Sequence, residues 1–226
     1  MNNKKDKNKK GLYSFLYPFC APLVRWLYRI EVIGAENEPD EESGGYVVCS
    51  NHLSNRDVVV IAASLSRQVN YFAKAELFKI PLVAQLVRAL GAFPVNRGAA
   101  DVGAMKKAVE IVKDGSVVGI YPQGHRFPGV HPATTRAQSG VGMIVCRGKA
   151  TVLPVAIETK DFRVRPFRKT IVRIGRPVSY ESRGLPEDEN GKCTAVFADY
   201  KTIADGIFAD ILSLLPPLLE DETKRR

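Results

Sequence analysis

The chain has 226 residues, 45% of them apolar, which excludes a chain too polar to fold and allows one large domain or two small ones. Lysine and arginine outnumber aspartate and glutamate by 33 to 24, so the formal net charge is +9. Such an excess indicates an anionic partner, namely a nucleic acid, an acidic membrane surface or a phosphorylated substrate.

The N-terminal segment combines a basic start with an apolar, aromatic stretch. Residues 1–10 hold five lysines and one aspartate, and residues 11–24 carry no charge. Fourteen residues are too few to cross a bilayer, which needs about 20, and Pro18 and Pro22 are expected to break any continuous helix. Aromatic side chains after lysines suit an anionic lipid interface. We therefore predict that residues 1–35 form a basic N-terminus and an amphipathic helical membrane anchor, with an ordinary core helix as the alternative.

The predicted location is the cell membrane, with the protein peripheral or monotopic on the cytoplasmic face. No small-residue cleavage site follows the apolar stretch, so a signal peptide is not expected. The four cysteines form no CxxC pair, and Cys49 and Cys146 lie in apolar runs. We expect these two to be inert core residues in a reducing compartment.

After the polar link at residues 36–45, short apolar strands alternate with helices. Strands are predicted at residues 46–49, 69–73, 92–95, 117–121, 151–157 and 170–175. Helices are predicted at residues 56–66, 76–90, 101–113, 138–148 and 194–215. This alternation predicts an α/β fold, with a mostly parallel central sheet and helices on both faces.

Polar and basic residues follow each of the first four predicted strands. They are Asn51 and His52 after the first strand, Lys74 after the second, Arg97 after the third, and Gln123, Gly124 and Arg126 after the fourth. Because the carboxyl ends of parallel strands share one edge of a sheet, we expect these residues to gather there. One histidine with three cations predicts a site for chemistry on a phosphate-bearing molecule.

The stretch SNHLSNRDVVV, residues 50–60, places His52 five positions before Asp57. Ser54 and Asp57 have the spacing of a helix N-cap, which by itself would explain the aspartate. Two residues five apart on a helix point about 140° away from each other. The pair can therefore meet only if His52 lies in the turn before the helix and Asp57 in its first turn.

Other kinds of site find less support in the sequence. There is no GxSxG nucleophile motif, and GVGMIV at residues 140–145 lacks the third glycine of a dinucleotide fingerprint. A zinc site built from His52, Asp57, His125 and His131 would lack both an HExxH motif and a cysteine set. We predict no metal and no cofactor, and no nucleic-acid partner because the basic stretches carry no recognition motif.

Four sequence blocks follow one another between residues 46 and 157. They are NHLSNRD (residues 51–57), GAFPVNRG (91–98), YPQGHRF (121–127) and VLPVAI (152–157). Together they resemble the NHxxxxD, arginine-ending, FPEGTR and proline-bearing blocks of the glycerolipid acyltransferase family, specifically the 1-acylglycerol-3-phosphate acyltransferases. KAEL, at residues 74–77, lies where that family has a similar lysine. The first block alone is moderately specific, whereas the ordered set of four is highly specific.

The resemblance implies transfer of a fatty acyl group from acyl-CoA or acyl carrier protein to lysophosphatidic acid, which gives phosphatidic acid in phospholipid biosynthesis. It implies that residues 36–226 are the acyltransferase domain, with His52 as general base and Asp57 as its orienting partner. It also implies a substrate-binding set in which the cations hold the acceptor phosphate. That set is Asn51, Lys74, Arg97, Gln123, Gly124 and Arg126.

The chain departs from the family pattern at two positions. Gln123 stands where glutamate is usual, and His125 where threonine is common. A retuned acceptor site is favoured over lost activity, because the predicted base, its carboxylate partner and the three cations are all present. The alternatives are an acyltransferase for another lysophospholipid or glycerol 3-phosphate, or a catalytically quiet membrane protein that binds lipid phosphate. The basic stretch at residues 160–176, predicted as a strand or hairpin, is a candidate docking surface for either donor.

Overall fold

The computed structural model describes residues 3–95, 101–191 and 193–217, and for residues 3–10 and 12 it describes the backbone alone. The strands are β1 (Ile30–Ile33), β2 (Tyr46–Ser50), β3 (Val69–Lys74), β4 (Phe93–Val95), β5 (Val117–Ile120), β6 (Thr151–Glu158) and β7 (Thr170–Ile174). The helices are α1 (Asn3–Leu27), α2 (Asp57–Ser64), α3 (Pro81–Ala89), α4 (Val102–Lys113), α5 (Gly140–Gly148) and α6 (Phe197–Ser213).

The described strands form one sheet in the order β1-β7-β6-β2-β5-β3-β4. Neighbouring strands are parallel in every pair except β6 with β7, which confirms the predicted mostly parallel sheet. Since β7 runs against β6, and β1 runs parallel to β7, both β1 and β7 begin at the end of the sheet where β2 and β6 finish. The pairing of Glu158 with Ile171 fixes this arrangement. One edge of the sheet thus carries the loops after β2, β5, β3 and β4 and the β6–β7 loop.

Helices cover both faces of the sheet, as predicted. On one face α4, α5 and α6 pack through apolar residues such as Val109, Ile144 and Ile207. On the other face α2 packs through residues such as Ile61, and Tyr28, directly after α1, packs into the same cluster. Both sets of side chains are buried against strands that are themselves apolar on both sides, as in β2, where every residue is buried.

Helix α1 is continuous through Pro18 and Pro22, so the prediction that these prolines would break it is wrong. Each proline removes one backbone donor, but both side chains lie on the exposed side of the helix, where water can satisfy the freed carbonyls. Tertiary contacts also hold the helix on either side of them. The Tyr17 hydroxyl donates to the Leu65 carbonyl at 2.6 Å, and Arg25 Nε donates to the Ala63 carbonyl at 2.6 Å.

In the part of the chain that the structure describes, no helix is both long enough and apolar enough to cross a bilayer.

Several boundaries differ from those predicted. β1 was not predicted, and it places the end of the proposed anchor segment inside the sheet. The predicted helix at residues 76–90 is a 3-10 turn over Ala75–Lys79 followed by α3, because proline at position 81 fits the first turn of a new helix. Of the basic stretch, only Thr170–Ile174 forms a strand, and residues 160–169 form a loop.

We expected Cys146 to be an inert core residue. It is instead joined to Cys193 in a disulfide with a Cα–Cα distance of 6.0 Å. The two positions are 47 residues apart, and the contact arises because α5 packs beside the loop that precedes α6. Sequence spacing cannot show such a contact. Cys49 is a free, buried thiol, as predicted.

Candidate active site

His52 and Asp57 form the predicted pair at the end of β2. The chain leaves β2, turns through residues 51–56 and enters α2 at Asp57. The imidazole Nδ1 lies 2.7 Å from Asp57 Oδ2, so the turn places the ring back over the first turn of the helix. The carboxylate is fully buried, while the histidine side chain keeps 14% of its surface exposed.

The Asp57 carboxylate is a pure acceptor for four donors. Besides the imidazole, Oδ2 accepts from the Leu53 amide at 2.6 Å and the Ser54 amide at 2.8 Å, and Oδ1 accepts from the Ser54 hydroxyl at 2.9 Å. Because an ionised carboxylate has no proton to donate, the imidazole proton must lie on Nδ1. Nε2 therefore keeps a free lone pair, which is the form a general base requires.

The loop after β5 holds the backbone and the ring of His52. The His52 amide donates to Gln123 Oε1 at 2.6 Å, and its carbonyl accepts from the Phe127 amide at 2.8 Å. The imidazole stacks on the Tyr121 ring, with centroids 3.8 Å apart and planes inclined by 8°. Two adjacent strands of the sheet thus fix the position of one side chain.

Tyr121 is a site residue that the sequence analysis missed. Its hydroxyl is buried beside that of neighbouring Tyr71, and the two phenols interact with each other. Burial raises the pKa of Tyr121 well above its usual value, so the phenol stays neutral. The ring therefore acts as an apolar support for the imidazole. The sequence feature that could have identified Tyr121 is an aromatic residue directly after β5, the strand beside the one that carries His52.

Because Tyr121 supports His52 through its ring face, we expect Tyr121→Leu to lower kcat by up to about tenfold, the range of one aromatic contact. Tyr121→Phe keeps the ring and removes a hydroxyl whose buried neighbour is the Tyr71 phenol. We expect it to retain full activity, with a free energy of unfolding within about 1 kcal/mol of wild type. Steady-state kinetics and urea unfolding of both variants check this. Equal kcat in the two variants would contradict a role for stacking.

Asn51 and Gln123 were predicted to bind substrate, but their amide groups are engaged inside the protein. Asn51 is buried, and its side chain pairs with both the carbonyl and the amide of Ile157, at 3.0 and 2.8 Å, which ties β2 to β6. Gln123 is 1% exposed, and its Nε2 donates to the Thr135 hydroxyl at 2.7 Å. Through these hydrogen bonds both residues position the histidine loop.

Gly124 shapes the loop through its backbone. Its φ of +69° lies in the left-handed region, and an added Cβ would lie 3.1 Å from the Gln138 side chain. The Gly124 amide donates to the Tyr121 carbonyl at 3.0 Å, which closes the turn after β5. The glycine is thus explained by the tight turn that carries the next residues into the cleft.

The imidazole opens into a cleft of about 700 Å³, a size typical of small-molecule sites. The described residues that line it are His52, Leu53, Ser54, Asn55, Arg56, Gly124, His125, Arg126 and Pro128. None of these is acidic. Arg126 Nη1 donates to Asn55 Oδ1 at 2.8 Å, and this hydrogen bond links the two loops. The other donors of the guanidinium take no part in it. Arg56 was missed, although it directly precedes Asp57 in the first block.

One predicted cation, Lys74, is not among the described residues that line this cleft. Lys74 ends β3 and is exposed on the same edge of the sheet, two strands from β2. Arg97 follows β4 and lies outside the described residues. The structure therefore brings together the predicted base, its carboxylate partner, Gly124 and Arg126.

Comparison with known proteins agrees with this geometry. The sequence profile of the Acyltransferase family matches residues 29–158. A 1-acyl-sn-glycerol-3-phosphate acyltransferase of Bacillus subtilis is 28% identical over 170 residues, which cover 72% of this chain and 82% of that protein. A protein of the same name from Borreliella burgdorferi is 26% identical over 152 residues, 65% of this chain and 59% of the relative.

The fold also matches a solved structure. The crystal structure of the 1-acyl-sn-glycerophosphate (LPA) acyltransferase PlsC from Thermotoga maritima superimposes with a TM-score of 0.65 and 23% identity, over all of this chain and 85% of that one. This likeness concerns the fold. The family profile spans more than half of the sequence and includes the histidine, its aspartate and the loop after β5. The chain belongs to the acyltransferase family.

Proposed function

We propose that the protein transfers a fatty acyl group from an acyl thioester to the free hydroxyl of 1-acylglycerol-3-phosphate, which forms phosphatidic acid. The observation that carries the proposal is the 2.7 Å contact between His52 and a buried Asp57, at a cleft whose described lining holds arginines and no acid. The Bacillus subtilis and Borreliella burgdorferi relatives bear the name of this activity.

In the proposed reaction His52 Nε2 removes the proton of the acceptor hydroxyl as the oxygen attacks the thioester carbonyl. The new C–O bond gives a tetrahedral oxyanion, which collapses with cleavage of the C–S bond. The leaving thiolate takes the proton back from the imidazolium, so the base is regenerated and a free thiol is released. The Asp57 carboxylate stabilises the imidazolium between these steps through Nδ1. No covalent acyl-enzyme is needed.

Arg126 is the proposed ligand for the acceptor phosphate. It is exposed in the cleft, and a guanidinium can donate two parallel hydrogen bonds to phosphate oxygens. Arg56 lines the same cleft and adds a second positive charge. Lys74 and Arg97 remain proposed as further phosphate ligands, from the loops after β3 and β4. Acyl-CoA and acyl carrier protein both present a thioester, so the chemistry at His52 is the same for either donor.

We also propose that the enzyme works on the anionic cytoplasmic surface of the cell membrane, held there by residues 1–35. α1 packs on the protein through one stripe of side chains and exposes a second apolar stripe on its opposite side. The exposed stripe is Phe15, Phe19, Leu23 and Trp26. A helix that is apolar on both sides needs a second apolar neighbour, which a lipid interface provides.

Product analysis with a panel of acceptors tests the proposed reaction. The purified full chain would be incubated with labelled acyl-CoA, or acyl carrier protein loaded with the same chain, and either lysophosphatidic acid, another lysophospholipid or glycerol 3-phosphate. We expect labelled phosphatidic acid as the main product. Product from a different acceptor alone would overturn the substrate assignment, and no product from any acceptor would overturn the enzymatic one.

We expect Gln123→Glu to retain measurable transferase activity. A carboxylate oxygen can accept from the His52 amide as Oε1 does now. The Thr135 hydroxyl, which now donates to the Pro132 carbonyl at 2.6 Å, can turn to donate to the second oxygen in exchange for that bond. Gln123→Leu removes the acceptor and should cost about 1 to 3 kcal/mol of unfolding free energy, with lower kcat. Parallel assays and urea unfolding compare the two. Complete inactivity of Gln123→Glu would contradict a retuned site and favour a quiet lipid-phosphate binder.

A further inference from the structure

The exposed stripe of α1 ends at the same edge of the sheet as the catalytic cleft. The β6–β7 loop lies at the same edge of the sheet as His52, because β7 begins where β6 ends. The loop is joined to the cleft wall by a hydrogen bond from the Gly129 amide to the Phe162 carbonyl at 2.8 Å, next to Pro128, which lines the cleft. A second hydrogen bond, from the Phe167 amide to the Leu27 carbonyl at 2.6 Å, joins it to the end of α1.

Two large aromatic side chains meet at this junction and stay exposed. Trp26 is 66% exposed and Phe167 59% exposed, with ring centroids 5.6 Å apart and planes at 85°. Phe167 has a φ of +60°, a left-handed conformation that disfavours a bulky residue. A surface turn with a purely structural role would be better served by glycine or asparagine there.

The loop that carries Phe167 is strongly basic. Its exposed cations are Lys160, Arg163, Arg165, Arg168 and Lys169. Arg165 pairs with Asp161, and Lys169 pairs with Glu31. Arg163 and Arg168 have no carboxylate partner among the residues the structure describes. The patch thus combines exposed aromatic rings with uncompensated positive charge, the combination that suits an anionic lipid interface.

We propose that residues 163–169 form a second membrane-binding element, which inserts Phe167 beside Trp26 at headgroup depth and sets Arg163 and Arg168 against anionic lipid. The inference rests on the proposed membrane association and extends it from the anchor helix to the catalytic rim. It is favoured over an acidic protein partner because the aromatic pair continues the apolar stripe of α1. In this orientation the cleft opens at the lipid surface, and a lysolipid reaches His52 without leaving the membrane.

Trp26 is the only tryptophan of the chain, so its emission reports directly on this patch. We expect emission to shift to the blue when the full chain meets vesicles of phosphatidylcholine with phosphatidylglycerol. Phe167→Asn removes the ring but tolerates the left-handed backbone. It should weaken vesicle affinity about tenfold and reduce the shift. Phe197→Asn is the matched control, since Phe197 is 74% exposed on α6, across the sheet, and should change neither.

Arg168→Gln tests whether the positive charge of the loop contributes to lipid binding, and Lys106→Gln on α4 is its control. Arg168→Gln should weaken binding to the anionic vesicles about fivefold and leave binding to pure phosphatidylcholine vesicles unchanged. Wild-type vesicle affinity in Phe167→Asn would overturn the inference. The inference would also be overturned if Arg168→Gln changed only the KM for the acyl donor, because the loop would then be a donor-docking surface. Vesicle binding that depends on Phe167 in a protein without turnover would support the inference while refuting the proposed reaction.

Discussion

His52→Ala should lower turnover by about 100-fold to 10,000-fold, the contribution of a positioned general base, with acceptor binding nearly intact. The imidazole is the group that takes the hydroxyl proton, whereas the proposed phosphate ligand, Arg126, lies on a different loop. The side chain is mostly covered, but its one hydrogen bond with the described residues is that to Asp57, so its loss leaves the loop backbone in place. Initial rates and equilibrium binding of lysophosphatidic acid to the same preparations would measure the two effects separately.

His125→Ala is the matched control, because His125 lines the same cleft but lies outside the hydrogen bonds of Asp57. We expect its kcat to stay within about threefold of wild type, since it removes no proton from the acceptor. If the two alanine variants were equally impaired, His52 would not be the base. Turnover at the wild-type rate in His52→Ala would refute the proposed mechanism altogether.

Asp57→Ala should abolish activity and also destabilise the fold. The substitution leaves the buried Leu53 amide and the Ser54 amide without an acceptor, which lowers the free energy of unfolding by about 3 kcal/mol. It also frees the imidazole to rotate and to change tautomer, so kcat should fall about 1,000-fold or more. Urea unfolding and initial-rate assays at a temperature where the variant remains folded would separate the two losses.

Asp57→Asn distinguishes charge from geometry. The two backbone amides and the Nδ1 proton require an oxygen at the Oδ2 position, so the asparagine amino group should turn toward the Ser54 hydroxyl, which can accept. His52 would then keep its tautomer and its ring position, and only the negative charge that stabilises the imidazolium would be lost. We expect a near-normal fold with kcat lower by roughly 10-fold to 100-fold. A loss as large as that of Asp57→Ala would contradict this account.

Much of the site could be predicted because its signals are local or follow from parallel topology. The spacing of His52 and Asp57 permits contact in one arrangement, a turn followed by a first helical turn, and that arrangement is present. Alternation of strands and helices predicts a parallel sheet, and a parallel sheet collects the loops after its strands at one edge. Arg126 reaches the cleft for this reason, although 69 residues separate it from Asp57.

The roles of individual polar residues could not be read in the same way. Asn51 and Gln123 have polar side chains of the kind that often bind ligands. Their partners, however, are the Ile157 backbone and the His52 amide, and each partner belongs to a different strand or loop from the side chain that it meets. The support of the imidazole by Tyr121 likewise depends on β5 lying beside β2. The disulfide between Cys146 and Cys193 depends on the packing of α5 against the segment before α6.

The sequence by itself determined the alternating fold, the histidine–aspartate pair and the basic, aromatic N-terminal helix, because each is set by spacing or composition within a short stretch. Only the tertiary structure decided that α1 continues through both prolines, that the amides of Asn51 and Gln123 hold the histidine loop, and that Trp26 meets Phe167 at the edge of the sheet that carries the cleft. The physical reason is that burial and contact between distant segments depend on which strands become neighbours, and side-chain patterns along the chain do not specify that order.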